Sequence, residues 1–126
     1  DEQAIRTVLG DQVAAWNRGD IDGFMEGYWR SDALQFRTPE RVFTGWHATR
    51  DRYKAKYSTR EKMGTLDFLD LAITRAEKNH AIVTGRYRLR RAAGAPDTGR
   101  FKLDFRFIRG CWRIVRDETE ADSLDR

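Results

Sequence analysis

The sequence predicts an α+β layer fold, with three N-terminal helices packed on one face of a curved, mainly antiparallel sheet. Two observations carry that reading. The hydrophobic period is helical up to about Ser58 and becomes two from Thr65 onward. The period-two segments are joined by links so short that consecutive strands must be antiparallel neighbours. A sheet of such long strands twists and curls, so its apolar face wraps the helices as a cone open at one end.

Residues 2–17 place Ile5, Val8, Leu9, Gln12, Val13 and Trp16 at three- and four-residue intervals, the stripe of an amphipathic helix. Gly19 ends it. Asp20 suits the free N–H donors that open a second helix, in which Ile21, Phe24, Met25 and Tyr28 share a face. The stretch WNRGD, residues 16–20, is therefore a helix-hairpin corner, and of its aromatic neighbours only Trp29, emerging toward the next loop, is placed for a ligand. Leu34–Arg37 and Arg41–Thr44 read as two short strands paired around Thr38-Pro39-Glu40. A third helix follows, with Trp46, Thr49, Tyr53 and Tyr57 on one face, and stops near Ser58.

Four strands complete the chain: TLDFLDLAITRAE, HAIVTGRYRLRRA, GRFKLDFRFIRG and CWRIVRDET. In the third of these Phe101, Leu103, Phe105 and Phe107 alternate with Lys102, Asp104 and Arg106; in the second Val83, Tyr87 and Leu89 oppose Thr84, Arg86, Arg88 and Arg90. No repeat or linker interrupts the chain, so its 126 residues form one domain over 1–126, with an acidic tail over 120–126 whose order the sequence leaves open.

Composition narrows the function classes. With 40% hydrophobic residues a single core needs no staple, and the lone Cys111 allows no intrachain disulfide, so a reducing compartment, the cytoplasm, is the expectation. His47 and His80 are not spaced as a metal site, and neither a Gly-x-Gly-x-x-Gly nor a Walker pattern occurs, so no metal and no cofactor are expected. Ser31, Ser58 and Ser123 lie in no nucleophile elbow. No run is long and apolar enough to suggest a membrane span or a leader. The window Arg86–Arg116 holds ten Lys or Arg against Asp97 and Asp104, while the last ten residues carry five acids. Alternating arginines on one side of a strand are the pattern of a solvated face, so nucleic acid is not the expected partner.

In order along the chain, WNRGDIDGFMEGYW, TGWHATRDRY, MGTLDF, VTGRYRL and CWRIVRD resemble a bacterial ketosteroid-isomerase-like, or SnoaL-like, domain family of undefined function. That family belongs to the nuclear-transport-factor-two-like superfamily of cone-shaped, cystatin-like α+β folds. The resemblance spans residues 4 to 119. It implies a homodimer and a pocket between helices and sheet, and leaves the substrate open. Relatives tend to close the last strand with Asp-His-Thr-Ser where this chain has Asp117-Glu118-Thr119-Glu120, so the residue suspected as a proton handler is Glu118 here. The isomerase residues do not carry over. Helix one has no tyrosine, and the strand after helix two, Leu34-Gln35-Phe36-Arg37, has no carboxylate.

No catalytic residue is named by the sequence. The candidates for lining the cone are Trp29, Tyr53 and Tyr57 near its mouth, Arg86 against an anionic group if Gly85 bends the strand, and Asp117 or Glu118 as a carboxylate. Taken singly, each has a plain alternative: packing for the tyrosines, the polar face for Arg86, and an ion pair with arginine for Asp117. Two functions follow. One is a binder of a small apolar or weakly anionic molecule in a semi-enclosed pocket, with weak isomerase-, hydrolase- or lyase-like acid–base activity; it requires a pocket of about 300 Å³ or more with at least one carboxylate. The alternative is a non-catalytic homodimeric association module, which requires a cone plugged by Trp16, Phe24, Tyr28 and Tyr53.

Overall fold

The computed structural model describes residues 2–122. Its elements run α1 (Glu2–Asn17), α2 (Ile21–Met25), β1 (Gln35–Arg37), β2 (Val42–Thr44), α3 (Trp46–Lys56), α4 (Arg60–Met63), β3 (Thr65–Glu77), β4 (His80–Arg90), β5 (Asp97–Ile108) and β6 (Cys111–Ala121). One six-stranded sheet has the order β2-β1-β6-β5-β4-β3. All neighbours are antiparallel except β1 and β6, which run parallel. The expected α+β cone with its helices on one face of the sheet is the observed fold.

The α1–α2 corner is bolted to the strand that begins the long meander. Gly19 takes φ +82°, and the Asp20 carboxylate accepts from the Gly23 N–H at 2.8 Å. Asn17 exchanges two hydrogen bonds with the Leu66 backbone, at 2.7 and 3.1 Å, and the Trp16 indole donates to the Met63 carbonyl at 2.9 Å. WNRGD is thus a corner whose side chains also position β3. The helical turn α4 lies between the predicted third helix and β3; at four residues it is too short to show a hydrophobic period, but Thr59 caps it by accepting from the Lys62 N–H at 3.1 Å.

Two other details differ from expectation. Phe107, close to the β5–β6 turn, is 43% exposed and leans on Trp112, with ring centroids 5.5 Å apart, whereas Phe101, Leu103 and Phe105 are buried. β6 runs on to Ala121, and Asp122 accepts from Thr98 at 2.6 Å, so the first part of the acidic tail is a paired strand; residues 123–126 lie outside the described residues.

The same pairing explains the lopsided charge. Of the ten cations in the Arg86–Arg116 window, Arg86, Arg88, Arg90, Arg91, Arg100 and Arg116 each sit in an ion pair, Arg100 and Arg116 with acids of β6 and Arg86 with Asp122 just after it. The basic window folds against its own counter-charges. No described helix is long and apolar enough to cross a membrane.

A β-branched side chain at Gly19 would be held in left-handed backbone, with its Cβ 3.3 Å from Arg60 Cδ. Gly19→Val is expected to lower the unfolding free energy by about 1–2 kcal/mol in urea titration, without a selective change in ligand affinity. A variant of full stability that had lost a ligand would contradict the corner role.

Candidate functional site

Between the helices and the inner face of the sheet lies a cavity of about 1020 Å³. One wall is aliphatic and aromatic, from Leu66 and Phe68 on β3, Leu89 on β4, and Phe101 and Leu103 on β5. The opposite wall is Gln12 and Trp16 of α1, Phe24 and Tyr28 at α2, and Arg52 and Tyr53 of α3. Its rim includes the β1–β2 turn, Thr38–Arg41, and the end of β6.

Strand parity sets the polar floor. Asp117 is the cross-strand partner of Leu103, and Thr119 of Phe101, so both face inward with those apolar residues. Asp117 is 3% exposed and accepts hydrogen bonds from the Tyr28 hydroxyl at 2.6 Å and the Thr119 hydroxyl at 2.5 Å. Tyr28 reaches it because the chain just after α2 is sewn to β6: the Trp29 N–H donates to the Ile114 carbonyl and the Ile114 N–H to the Gly27 carbonyl, both at 2.9 Å. Tyr53 brings its hydroxyl to 3.4 Å from that of Tyr28, completing a row of Tyr53, Tyr28 and Asp117.

Burial raises the Asp117 carboxyl to about 6, even though the Thr119 and Tyr28 hydrogen bonds and the Arg52 charge all pull it down. Burial likewise pushes up the hydroxyls of Tyr28 and Tyr53, and the Asp117 charge adds to it in both. The tyrosines are therefore fixed as protonated donors, while the acid can hold or release a proton close to neutral pH. Such a floor can bind a carbonyl or hydroxyl oxygen and exchange a proton with it.

The structure brings Tyr53, Tyr57 and Asp117 together at the cavity; Trp29, Arg86 and Glu118 are elsewhere. Asp117 makes no ion pair among the described residues; its partners are hydroxyls. Glu118, one residue on, points to the outer face, pairs across the ladder with Lys102 and is held by Arg116 at 2.8 and 3.1 Å. Arg86 stays on the polar face of β4, bonded to Asp122. Gly85 does not re-aim it; its missing side chain lets the Phe101 ring and Leu71 close in, as a Cβ there would lie 2.8 Å from Phe101 Cζ and 2.9 Å from Leu71 Cδ2. Trp29 is half-buried beside β6 and lines no part of the cavity. Sequence reasoning missed Gln12, Tyr28, Arg52 and Thr119. Tyr28 was visible only as part of an apolar stripe, and Thr119 shares Asp117's parity, the one signal that places it inside. No group of His, Cys, Asp and Glu among the described residues is arranged to hold a metal ion.

With an ordinary carboxyl value of 3.8 and about 6 here, the folded state holds an extra proton across that interval. The Asp117 contribution to stability is therefore greatest below it and falls as pH rises through it, by roughly 3 kcal/mol. Asp117→Asn is neutral throughout and of the same shape. Urea unfolding of both proteins from pH 4 to 7 is expected to show wild type losing stability relative to the variant with rising pH; a constant difference would contradict the buried acid.

No family model matches the chain, and no curated protein matches it. Solved structures do. An NTF2-like protein of unknown function from Shewanella oneidensis is 33% identical, with a TM-score of 0.89 over 94% of this chain and 98% of its own. An NTF2-like protein with a cystatin-like fold from Novosphingobium aromaticivorans, 15% identical, superposes with a TM-score of 0.79 over 99% of this chain and 84% of its own. A ketosteroid isomerase-like protein from Erwinia carotovora, 17% identical, does so at 0.74 over 96% and 95%. The latter two show the shared fold; the first, over nearly the full length of both chains, shows that this protein belongs to the NTF2-like family.

Proposed function

We propose that the protein binds a small molecule with an apolar body and a carbonyl or hydroxyl oxygen, seated in the cavity with that oxygen at the Tyr53–Tyr28–Asp117 floor, and that Asp117 supplies weak acid–base chemistry to it. The observation that carries this is a buried acid beside two tyrosine hydroxyls at the floor of a cavity whose sheet-side wall is apolar. The space is large enough for such a ligand, and Trp16, Phe24, Tyr28 and Tyr53 line it rather than fill it, which favours binding over a plugged association module. The ring faces and aliphatic wall provide the hydrophobic contact; the floor provides orientation.

Tyr53 is the group with most to offer a ligand. Its 3.4 Å contact to Tyr28 is long for a bond between hydroxyls, so the protein engages its hydrogen only weakly. A ligand oxygen at normal distance would use it better.

Native mass spectrometry of the protein as purified from cells, repeated after denaturation, tests the proposal. The expected result is a stoichiometric small molecule bearing a carbonyl or hydroxyl, on a homodimer. A ligand-free protein whose tyrosine and tryptophan fluorescence is unmoved by a panel of aromatic ketones and phenols would overturn it. With a ligand in hand, Tyr53→Phe is expected to weaken binding by about 1 kcal/mol, roughly fivefold, while thermal unfolding stays close to wild type.

A further inference from the structure

The cavity has a second polar feature, whose charge reaches the floor but which makes no hydrogen bond to it among the described residues. Arg52 lies on α3, half-buried, with its guanidinium carbon 4.7 Å from the centroid of the Phe36 ring, 5.2 Å from Tyr53 and 6.0 Å from Phe43. It lines the cavity, and among the described residues it makes neither a hydrogen bond nor an ion pair. Three rings lie around the guanidinium carbon, and among the described residues none of its N–H donors meets a protein acceptor. An arginine packed this way and left without a carboxylate is pre-ordered for one that arrives from outside.

The surrounding charges agree. Asp51 at the rim is committed to Arg50, and Glu120 to Arg100. Glu40 is the remaining rim acid, against Arg41 and Lys56 besides Arg52. Burial lowers the Lys56 ammonium below its ordinary range, with the Arg52 charge adding to it and Asp97 opposing it, so Arg52 and Lys56 share this side of the cavity as neighbouring cations. At the floor Asp117 is the one buried acid among the described residues.

We infer that Arg52 is the anion-recognition residue of the cavity, and that the ligand is a monocarboxylic acid whose apolar body also carries the oxygen that meets the floor: the carboxylate takes the guanidinium fork while the body lies along Leu66, Phe68, Leu89 and Phe101. This rests on the small-molecule reading above and narrows it to a ligand class. A single planar fork matches one carboxylate. A phosphate dianion would need more donors than one side chain offers and would sit in the field of Asp117 and Glu40.

The test uses two pairs of probes that differ in charge but not in shape, naphthoate with naphthamide and decanoate with decanamide, titrated calorimetrically. Wild type is expected to bind each acid about tenfold more tightly than its amide. Arg52→Gln is expected to bind acid and amide alike, with amide affinity as in wild type, which shows the cavity intact; Arg52→Lys, which keeps the charge but not the fork, is expected to retain part of the preference. Amides that bind wild type as well as the acids do, or a preference that survives Arg52→Gln, would overturn this inference and leave the small-molecule reading standing. Failure of all four probes to bind wild type would count against both.

Discussion

The hydrogen bond from Tyr28 to Asp117 is the constraint on which the rest of the site depends. It joins the end of the helical layer to the inner face of the sheet, and it holds a carboxyl that is only 3% exposed. An unpaired carboxylate in that position would be costly, and two hydroxyl donors offset much of the cost without removing it. What remains is a proton affinity raised toward neutrality, the property that gives the floor its chemistry. The bond is possible only because Gly27 and Trp29 pair with Ile114 on β6, placing the tyrosine over the strand.

A void lined by large rings tends to collapse, and here the rings brace one another. Trp16 meets Phe24 and Tyr57 edge-on at 5.0 Å, and Phe24 meets Tyr53 at 5.2 Å. Such pairs are each worth about 0.5–1.5 kcal/mol beyond burial. The indoles of Trp16 and Trp46 are pinned by hydrogen bonds to the Met63 and Met25 carbonyls at 2.9 and 3.0 Å, so neither ring is free to swing inward. The aromatics that would plug an association module instead form a frame. Arg52 belongs to that frame on one side and faces the cavity on the other.

The fold was legible because its signals are local and repeated: the stripe from Ile5 to Trp16, the Gly19 corner, and the alternation through β4 and β5 each fix an element before any tertiary contact is known. The site was legible only in part. Tyr53 and Tyr57 were found because helical spacing puts them on the buried face with Trp46 and Thr49. Glu118 was favoured over Asp117 on resemblance, and one step of strand parity separates the inner face from the outer. The many arginines in the chain suggested an ion pair for Asp117, but its partners, Tyr28 and Thr119, come from an apolar stripe and from its own strand. Arg52 gave no signal at all, since a cation among cations on a helix becomes distinctive only when its neighbours prove to be rings.

The most direct measurement is carbon-13 NMR titration of the Asp117 side-chain carboxyl in the ligand-free protein, assigned by its loss in Asp117→Asn. The account predicts a midpoint near 6, well above the ordinary 3.8. A midpoint at or below 4 would mean that the carboxylate is solvated or more strongly hydrogen-bonded than described, and that the floor of the cavity carries a fixed charge rather than an exchangeable proton.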